Sequence, residues 1–119
     1  MNINTIKADL SARGFYPDYN GKMIFAEGSI SNYRKCTISL DFALWGDIAE
    51  EHFYLVRYES FAESGQPEVD HHTITERYIA ESQIAEFCRE KYIETAEERR
   101  ARRAEYRAKL LAGREQKRG

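Results

Sequence analysis

Residues that build common metal, redox and disulfide sites are scarce in this chain. Cysteine occurs only twice in 119 residues, at Cys36 and Cys88, with no CxxC motif and no regular Cys/His spacing. The pattern therefore contains no recognisable zinc or redox motif. Each cysteine falls on a face that we predict to be buried, where a free thiol packs as a small hydrophobe. A disulfide bridge between the two is the alternative.

Motifs of catalysis and nucleotide binding are missing as well. The seven glycines are scattered and form no phosphate-binding loop, and no serine lies in a GxSxG elbow. One cluster has metal-binding residue types: Asp70, His71, His72 and Glu76. A metal site needs three or four ligands at suitable spacing, and His52 is the only other histidine. We therefore predict a protein that is not an enzyme and has neither a cofactor nor a metal site.

Long hydrophobic runs are also absent. No window approaches the ~18 consecutive apolar residues of a membrane span, and the N-terminal residues lack the apolar centre of a signal peptide. Charged residues make up 32% of the chain and its mean hydropathy is −0.69, so part of the chain must be almost wholly solvated. These features predict a cytoplasmic protein without a membrane partner.

The sequence does contain a strong separation of charge. Residues 1–98 hold nine Lys or Arg against 18 Asp or Glu, a net charge of −9, whereas residues 99–119 hold nine against two, a net charge of +7. Such asymmetry bears on partners and association rates rather than on fold. We predict an acidic domain over residues 1–96 and a basic, Arg-rich helical extension over residues 97–119.

Apolar periodicity predicts an α+β fold with a short N-terminal helix, an antiparallel meander of three or four strands, and a long C-terminal helix that extends beyond the domain. The first helix is predicted over residues 4–13 and the strands over residues 22–30, 35–44 and 52–61, followed by a loop over residues 62–70. The second strand alternates most regularly, and five of its side chains are expected to face the core: Cys36, Ile38, Leu40, Phe42 and Leu44. We expect the helices to cover this face.

The C-terminal helix is predicted to begin at Thr73. Thr73 and Glu76 have the T-x-x-E spacing of a capping box. Apolar residues then recur at helical spacing as far as Ile93, and helix formers continue without Gly or Pro until Gly113. Two i,i+4 ion pairs of favourable orientation are expected in its exposed part: Glu98–Arg102 and Glu105–Lys109.

Arginines dominate one side of the predicted helix. Arg99, Arg103 and Arg107 follow at i, i+4 and i+8, while alanines keep another side slim. Guanidinium groups match phosphate and carboxylate groups, so this side suits an anionic partner. Two aromatic residues that we expect in exposed turns, Tyr33 and Trp45, are further candidate anchors. The candidate partner-binding residues are therefore Arg99, Arg100, Arg102, Arg103, Arg107, Lys109, Arg114, Lys117, Arg118, Tyr33 and Trp45.

These features predict a binding protein that engages a protein or nucleoprotein complex through charged surfaces. A compact, motif-free chain with such charge patterning resembles in style the small accessory or inhibitor proteins that phages and mobile elements carry. One alternative is sequence-nonspecific nucleic-acid binding by the arginine helix, since no helix-turn-helix, zinc finger or RNP motif supports base readout. A homodimer is another, with the basic helix on the acidic body of a second copy and Leu110 and Leu111 as apolar anchors. The simplest alternative is a solvated, solubilising tail.

Overall fold

A computed structural model describes residues 3–46, 50–63 and 71–118 of the protein, apart from the side chains of Phe42 and of residues 114–118. Helix α1 spans Ile3–Ala12 and is followed by strands β1 (Tyr16–Pro17), β2 (Lys22–Ser29), β3 (Asn32–Gly46), β4 (Glu51–Ala62) and β5 (His71–Ala80). A 3-10 turn at Glu81–Gln83 leads into α2 (Ile84–Glu90), and α3 spans Ala96–Arg118. The predicted α+β class is confirmed.

The sheet is larger than predicted. Within the described residues it has five strands in the order β1-β2-β3-β4-β5, and each neighbouring pair is antiparallel. The meander is therefore confirmed, and the expected number of three or four strands is wrong. The predicted loop over residues 62–70 is also corrected at its start, because Ala62 ends β4; residues 64–70 lie outside the described part of the chain.

The additional long strand, β5, replaces the predicted start of the C-terminal helix. The ten residues of β5 pair in continuous register with β4, from Ala80 opposite Phe53 to His71 opposite Ala62. Ile74, Tyr78 and Ile79 fit a helical spacing. In the strand, Ile79 is buried whereas Ile74 and Tyr78 lie on the opposite, exposed face, and pairing with β4 decides between helix and strand. The Thr73–Glu76 capping box is therefore wrong.

Strand β3 departs from strict alternation near its end. Cys36, Ile38 and Leu40 are buried as predicted. The register with β4 shifts between Ser39 and Ala43, so that Ala43 packs against the core and Leu44 becomes exposed. Residues 40–42 of β3 have no partner on β4, and a bulge with an odd number of extra residues reverses the facing of the side chains after it, which explains why Leu44 does not reach the core. The predicted core position of the Phe42 side chain lies outside the described part of the chain.

The helices cover one face of the sheet. Ile6 and Leu10 of α1 and Phe87 and Cys88 of α2 belong to the same buried cluster as the core-facing strand residues, such as Ile38. Both cysteines are free thiols with no exposed surface, and burial raises the pKa of each to about 12. The prediction that they pack as small hydrophobes is confirmed. The opposite sheet face has no described helix on it.

Candidate interface on the C-terminal helix

The start of α3 is fixed by a capping box. The amide of Thr95 donates to Glu98 Oε1 at 3.2 Å, and the amide of Glu98 donates to Thr95 Oγ1 at 3.1 Å. Each side chain thus satisfies a backbone donor that the first turn leaves without a helical partner. The sequence contains T-x-x-E twice, and the second copy, Thr95–Glu98, is the one that begins a helix.

A buried arginine ties this first turn to the body. Arg13 follows α1 and is only 4% exposed. Its Nε donates to Asp9 Oδ2 at 2.9 Å, its Nη1 to the carbonyl of Ile93 at 3.1 Å, and its Nη2 to Glu98 Oε2 at 3.2 Å. The hydrogen bond from Arg13 holds the pKa of Glu98 below its usual value. Arg13 therefore connects α1 to the residues around the start of α3.

A second ion pair lies one turn further along α3. Arg102 Nε and Nη2 donate to the two carboxylate oxygens of Glu94 at 2.8 and 2.9 Å, and its guanidinium lies over the Tyr92 ring at 5.2 Å from the centroid. Glu94 is 8% exposed, and the hydrogen bond from Arg102 lowers its pKa. The predicted Glu98–Arg102 pair is therefore wrong, because each residue binds a partner outside the helix. The charge of Arg102 is thus paired with a carboxylate of the same chain.

The other arginines of α3 with described side chains are exposed. Arg99, Arg100, Arg103 and Arg107 are exposed, and none forms an ion pair with a residue that the structure describes. Lys109 forms the predicted pair with Glu105, at 3.6 Å with both side chains exposed. Arg114, Lys117 and Arg118 lie on the helical backbone of α3, but their side chains fall outside the described part of the chain.

An apolar stripe runs beside these unpaired arginines. Tyr106 is 63% and Leu110 is 48% exposed. Along the helix, Arg103 follows Arg99 by four residues, Tyr106 follows Arg103 by three, and Leu110 follows Tyr106 by four. This spacing places all four on one side of the helix. Leu111 is 58% exposed but is rotated by about 100° from Leu110, so the two leucines do not form one anchor. Tyr106 was not among the predicted residues, although its spacing to Leu110 was visible in the sequence.

The two candidate aromatic residues lie elsewhere. Both are strand residues of β3, so their predicted placement in turns is wrong. Tyr33 is half-buried, with its ring stacked on Phe61 at 5.7 Å and its hydroxyl donating to Glu59 Oε2 at 2.9 Å. Trp45 is exposed and contacts His52 edge-on at 4.9 Å. Their partners on β4, Phe61 and His52, are nine residues apart, which is about 30 Å of extended strand, so the structure does not bring Tyr33, Trp45 and the arginines into one site.

A polar cluster on the sheet was missed by the sequence reasoning. Glu59 accepts hydrogen bonds from His72 Nε2 at 2.8 Å, Tyr33 Oη at 2.9 Å and Arg57 Nη1 at 3.0 Å. These bonds, led by that of His72, lower the pKa of Glu59 to about 2. His71 and His72 are neighbours on β5 and therefore face opposite sides of the sheet. The predicted polar loop and helix start around these histidines is a strand.

Within the described ranges, no helix is long and apolar enough to cross a membrane. Comparisons with protein-family models, with curated proteins and with solved structures found no match to this chain. The candidate interface is helix α3, which is anchored at its base (residues 96–103), carries unpaired arginines along its length and exposes Tyr106 and Leu110 on its outer turns (residues 104–113).

Proposed function

We propose that this protein is a non-enzymatic binding protein whose helix α3 docks into a groove of a protein partner. The observation that carries the proposal is the joint exposure of Tyr106 and Leu110 on the side of α3 that also presents Arg99 and Arg103. An amphipathic helix binds a groove through anchors at such spacings. The partner groove is expected to have an apolar floor and an acidic rim.

The unpaired arginines support this mode of binding. Arg103 and Arg107 border the apolar stripe and have no ion pair among the described residues, so binding would not break an existing pair. Complementary charge accelerates encounter and fixes the orientation of a complex more than it raises affinity. The 23 residues of α3 form a rod of about 35 Å. Because Arg13 and the capping box hold its base, less freedom is lost when the rod binds.

The charge of the rest of the chain supports an accessory or inhibitory role. Residues 1–98 carry a net charge of −9, and docking of α3 would place this acidic body beside the partner. An acidic surface there repels nucleic acid or another polyanion from the partner. We therefore propose that the partner is part of a machine that handles an anionic substrate.

Sequence-nonspecific nucleic-acid binding is the second candidate function. It is favoured by the four unpaired arginines Arg99, Arg100, Arg103 and Arg107, which can neutralise phosphates along a backbone. This function makes no use of Tyr106 and Leu110. The two candidates therefore predict different sensitivities for the apolar and the charged residues of α3.

The test compares two neighbouring leucines of equal chemistry. Tagged wild-type protein, Leu110→Ala and Leu111→Ala are used to capture partners from nuclease-treated lysate, and the retained proteins are quantified by mass spectrometry. We expect Leu110→Ala to lose a protein that wild type and Leu111→Ala retain, because only Leu110 lies beside Tyr106. Equal retention by both variants contradicts docking through this stripe.

The second arm measures binding to duplex and single-stranded oligonucleotides over a salt series. Under the proposed function, affinity stays weak and Arg103→Gln/Arg107→Gln changes it little. Tight binding with a steep salt dependence, lost in that double variant and retained in Leu110→Ala, would support the nucleic-acid function instead.

A further inference from the structure

A polar groove lies between the sheet and the base of α3. It has a volume of about 400 Å³. Four guanidinium groups border it, one from β3 and three from α3, together with two carboxylates and the ring of Tyr92: Arg34, Arg99, Arg102, Arg103, Glu27 and Glu94. Neither the helix docking proposed above nor the sequence pattern accounts for this convergence of charge from distant parts of the chain.

Two of the four arginines, Arg34 and Arg102, are already paired with carboxylates. Arg34 Nη2 donates to Glu27 Oε2 at 2.9 Å and to the carbonyl of Tyr92 at 2.9 Å, and its Nη1 donates to the carbonyl of Lys91. On the other wall, both oxygens of Glu94 are taken up by the guanidinium of Arg102. Both glutamates are therefore already bound to an arginine, and these two ion pairs form the walls of the groove.

The remaining two arginines give the groove a positive surplus. Arg99 and Arg103 are one turn apart on α3, both border the groove, and neither has an ion pair within the described residues. With four arginines against two glutamates, the groove carries a net charge of +2. The Cα atoms of Arg99 and Arg103 lie about 6 Å apart along the helix axis, so both side chains can reach one tetrahedral anion. The charge matches a dianion.

We propose that this groove binds a phosphate monoester, carried as phosphoserine or phosphothreonine on a protein, with Arg99 and Arg103 as its direct ligands. A phosphate monoester carries about −1.5 to −2 charges at neutral pH and offers three acceptor oxygens, whereas a phosphodiester carries one charge. Arginine is the residue that matches such groups in forked geometry. The proposal goes beyond the docking of α3, because it uses the base of the helix and holds whether or not the outer stripe has a partner.

The experiment titrates the full chain with an acetylated, amidated Ala-phosphoserine-Ala peptide at constant ionic strength. Arginine Nε–H signals are followed by ¹H–¹⁵N NMR, and the same peptide with unmodified serine and with a methyl phosphodiester serves as the comparison. We expect a saturable shift at Arg99 and Arg103 with the monoester, an affinity weaker by about ten-fold for the diester, and no shift with unmodified serine.

Matched double variants separate a site from general electrostatics. Arg99→Gln/Arg103→Gln removes two charges inside the groove, and Arg100→Gln/Arg107→Gln removes two charges from the same helix outside it. We expect the first pair to weaken binding by about ten-fold and the second by less than about two-fold, with helix content unchanged by circular dichroism. An equal loss in both pairs, a shift that does not saturate, or equal affinity for the diester would overturn the proposal. Each of these outcomes leaves the comparison of Leu110→Ala with Leu111→Ala untouched.

Discussion

The base and the outer turns of α3 both contain arginine, but among the described residues arginine forms ion pairs only at the base, where Arg99 and Arg103 nevertheless have none. At the base, Arg102 is bound to buried Glu94, and Arg13 from α1 reaches Glu98 in the first turn. In the outer turns, Arg107 is exposed and has no ion pair among the described residues. The comparison teaches that the role of an arginine here follows from which carboxylate the fold brings within reach, and not from its place in a charge run.

The largest expected effect comes from removing the buried arginine that anchors the base. Arg13→Ala would leave Asp9, Glu98 and the Ile93 carbonyl without their shared donor, and we expect the free energy of unfolding to fall by about 2–3 kcal/mol. Urea denaturation followed by circular dichroism measures this. Arg107→Ala in the outer turns is the control, with an expected change within about 0.5 kcal/mol. Equal losses would abolish the distinction between the two regions.

Acid is expected to weaken the ion pairs at the base of α3. Hydrogen bonds from Arg102 and Arg13 lower the pKa values of Glu94 and Glu98 below the ordinary value of 4.5. A carboxylate whose pKa is lower in the folded state stabilises the fold above the unfolded value, and this contribution is lost as the pH falls through the folded value. The midpoint of urea unfolding should therefore drop below about pH 4.5, the ordinary value of these groups.

The double variant Glu94→Gln/Glu98→Gln tests whether these two carboxylates cause the pH dependence of the urea midpoint. It should be less stable than wild type at neutral pH and should show a shallower loss between pH 6 and pH 2, a window of about four units around the ordinary glutamate pKa. If the urea midpoint of the variant depends on pH as that of wild type does, other carboxylates cause the acid sensitivity, and Glu59 is the strongest candidate.

A smaller effect is expected from the cap of α3. Thr95→Ala removes the hydroxyl that accepts the Glu98 amide, which should cost about 1 kcal/mol of stability and reduce helix content at the base. Thr73→Ala alters the other T-x-x-E segment, which lies in β5, and should leave the helical signal of circular dichroism unchanged. A loss of helix in Thr73→Ala would contradict the strand assignment.

The smallest expected effect concerns the exposed pair of the outer turns. Glu105→Gln removes the partner of Lys109, and we expect a change of about 0.2–0.5 kcal/mol that disappears at high salt. Thermal unfolding in low and high salt measures it. A change as large as that of Arg13→Ala would mean that the outer turns contribute to the fold as much as the base does.

The sequence pattern predicted those helices and strands that are determined by the spacing of residues close together in the chain. The alternation around Ile38 predicted its strand, and the run of helix formers predicted the outer part of α3. The spacing of Ile74, Tyr78 and Ile79 favours a helix, and only the pairing with β4 makes this segment the strand β5. The bulge that exposes Leu44 also depends on the neighbouring strand.

The candidate site shows the same limit. The sequence placed Arg99, Arg103 and Arg107 on one side of a helix, and this side is exposed. It contained no sign that Arg13 reaches Glu98, because 85 residues separate them. Nor did it show that Arg34 borders the same groove as Arg99. Contacts between distant charged residues have no periodicity, so spacing alone does not reveal them.

The two thiols provide an internal probe of the core. Cys36 and Cys88 are the only cysteines in the chain, have no exposed surface, and have pKa values raised to about 12. Since the thiolate is the reactive form, a maleimide reagent should modify only those molecules whose interior has opened. The rate of labelling in native buffer therefore reports how often the interior opens, without any engineered dye site.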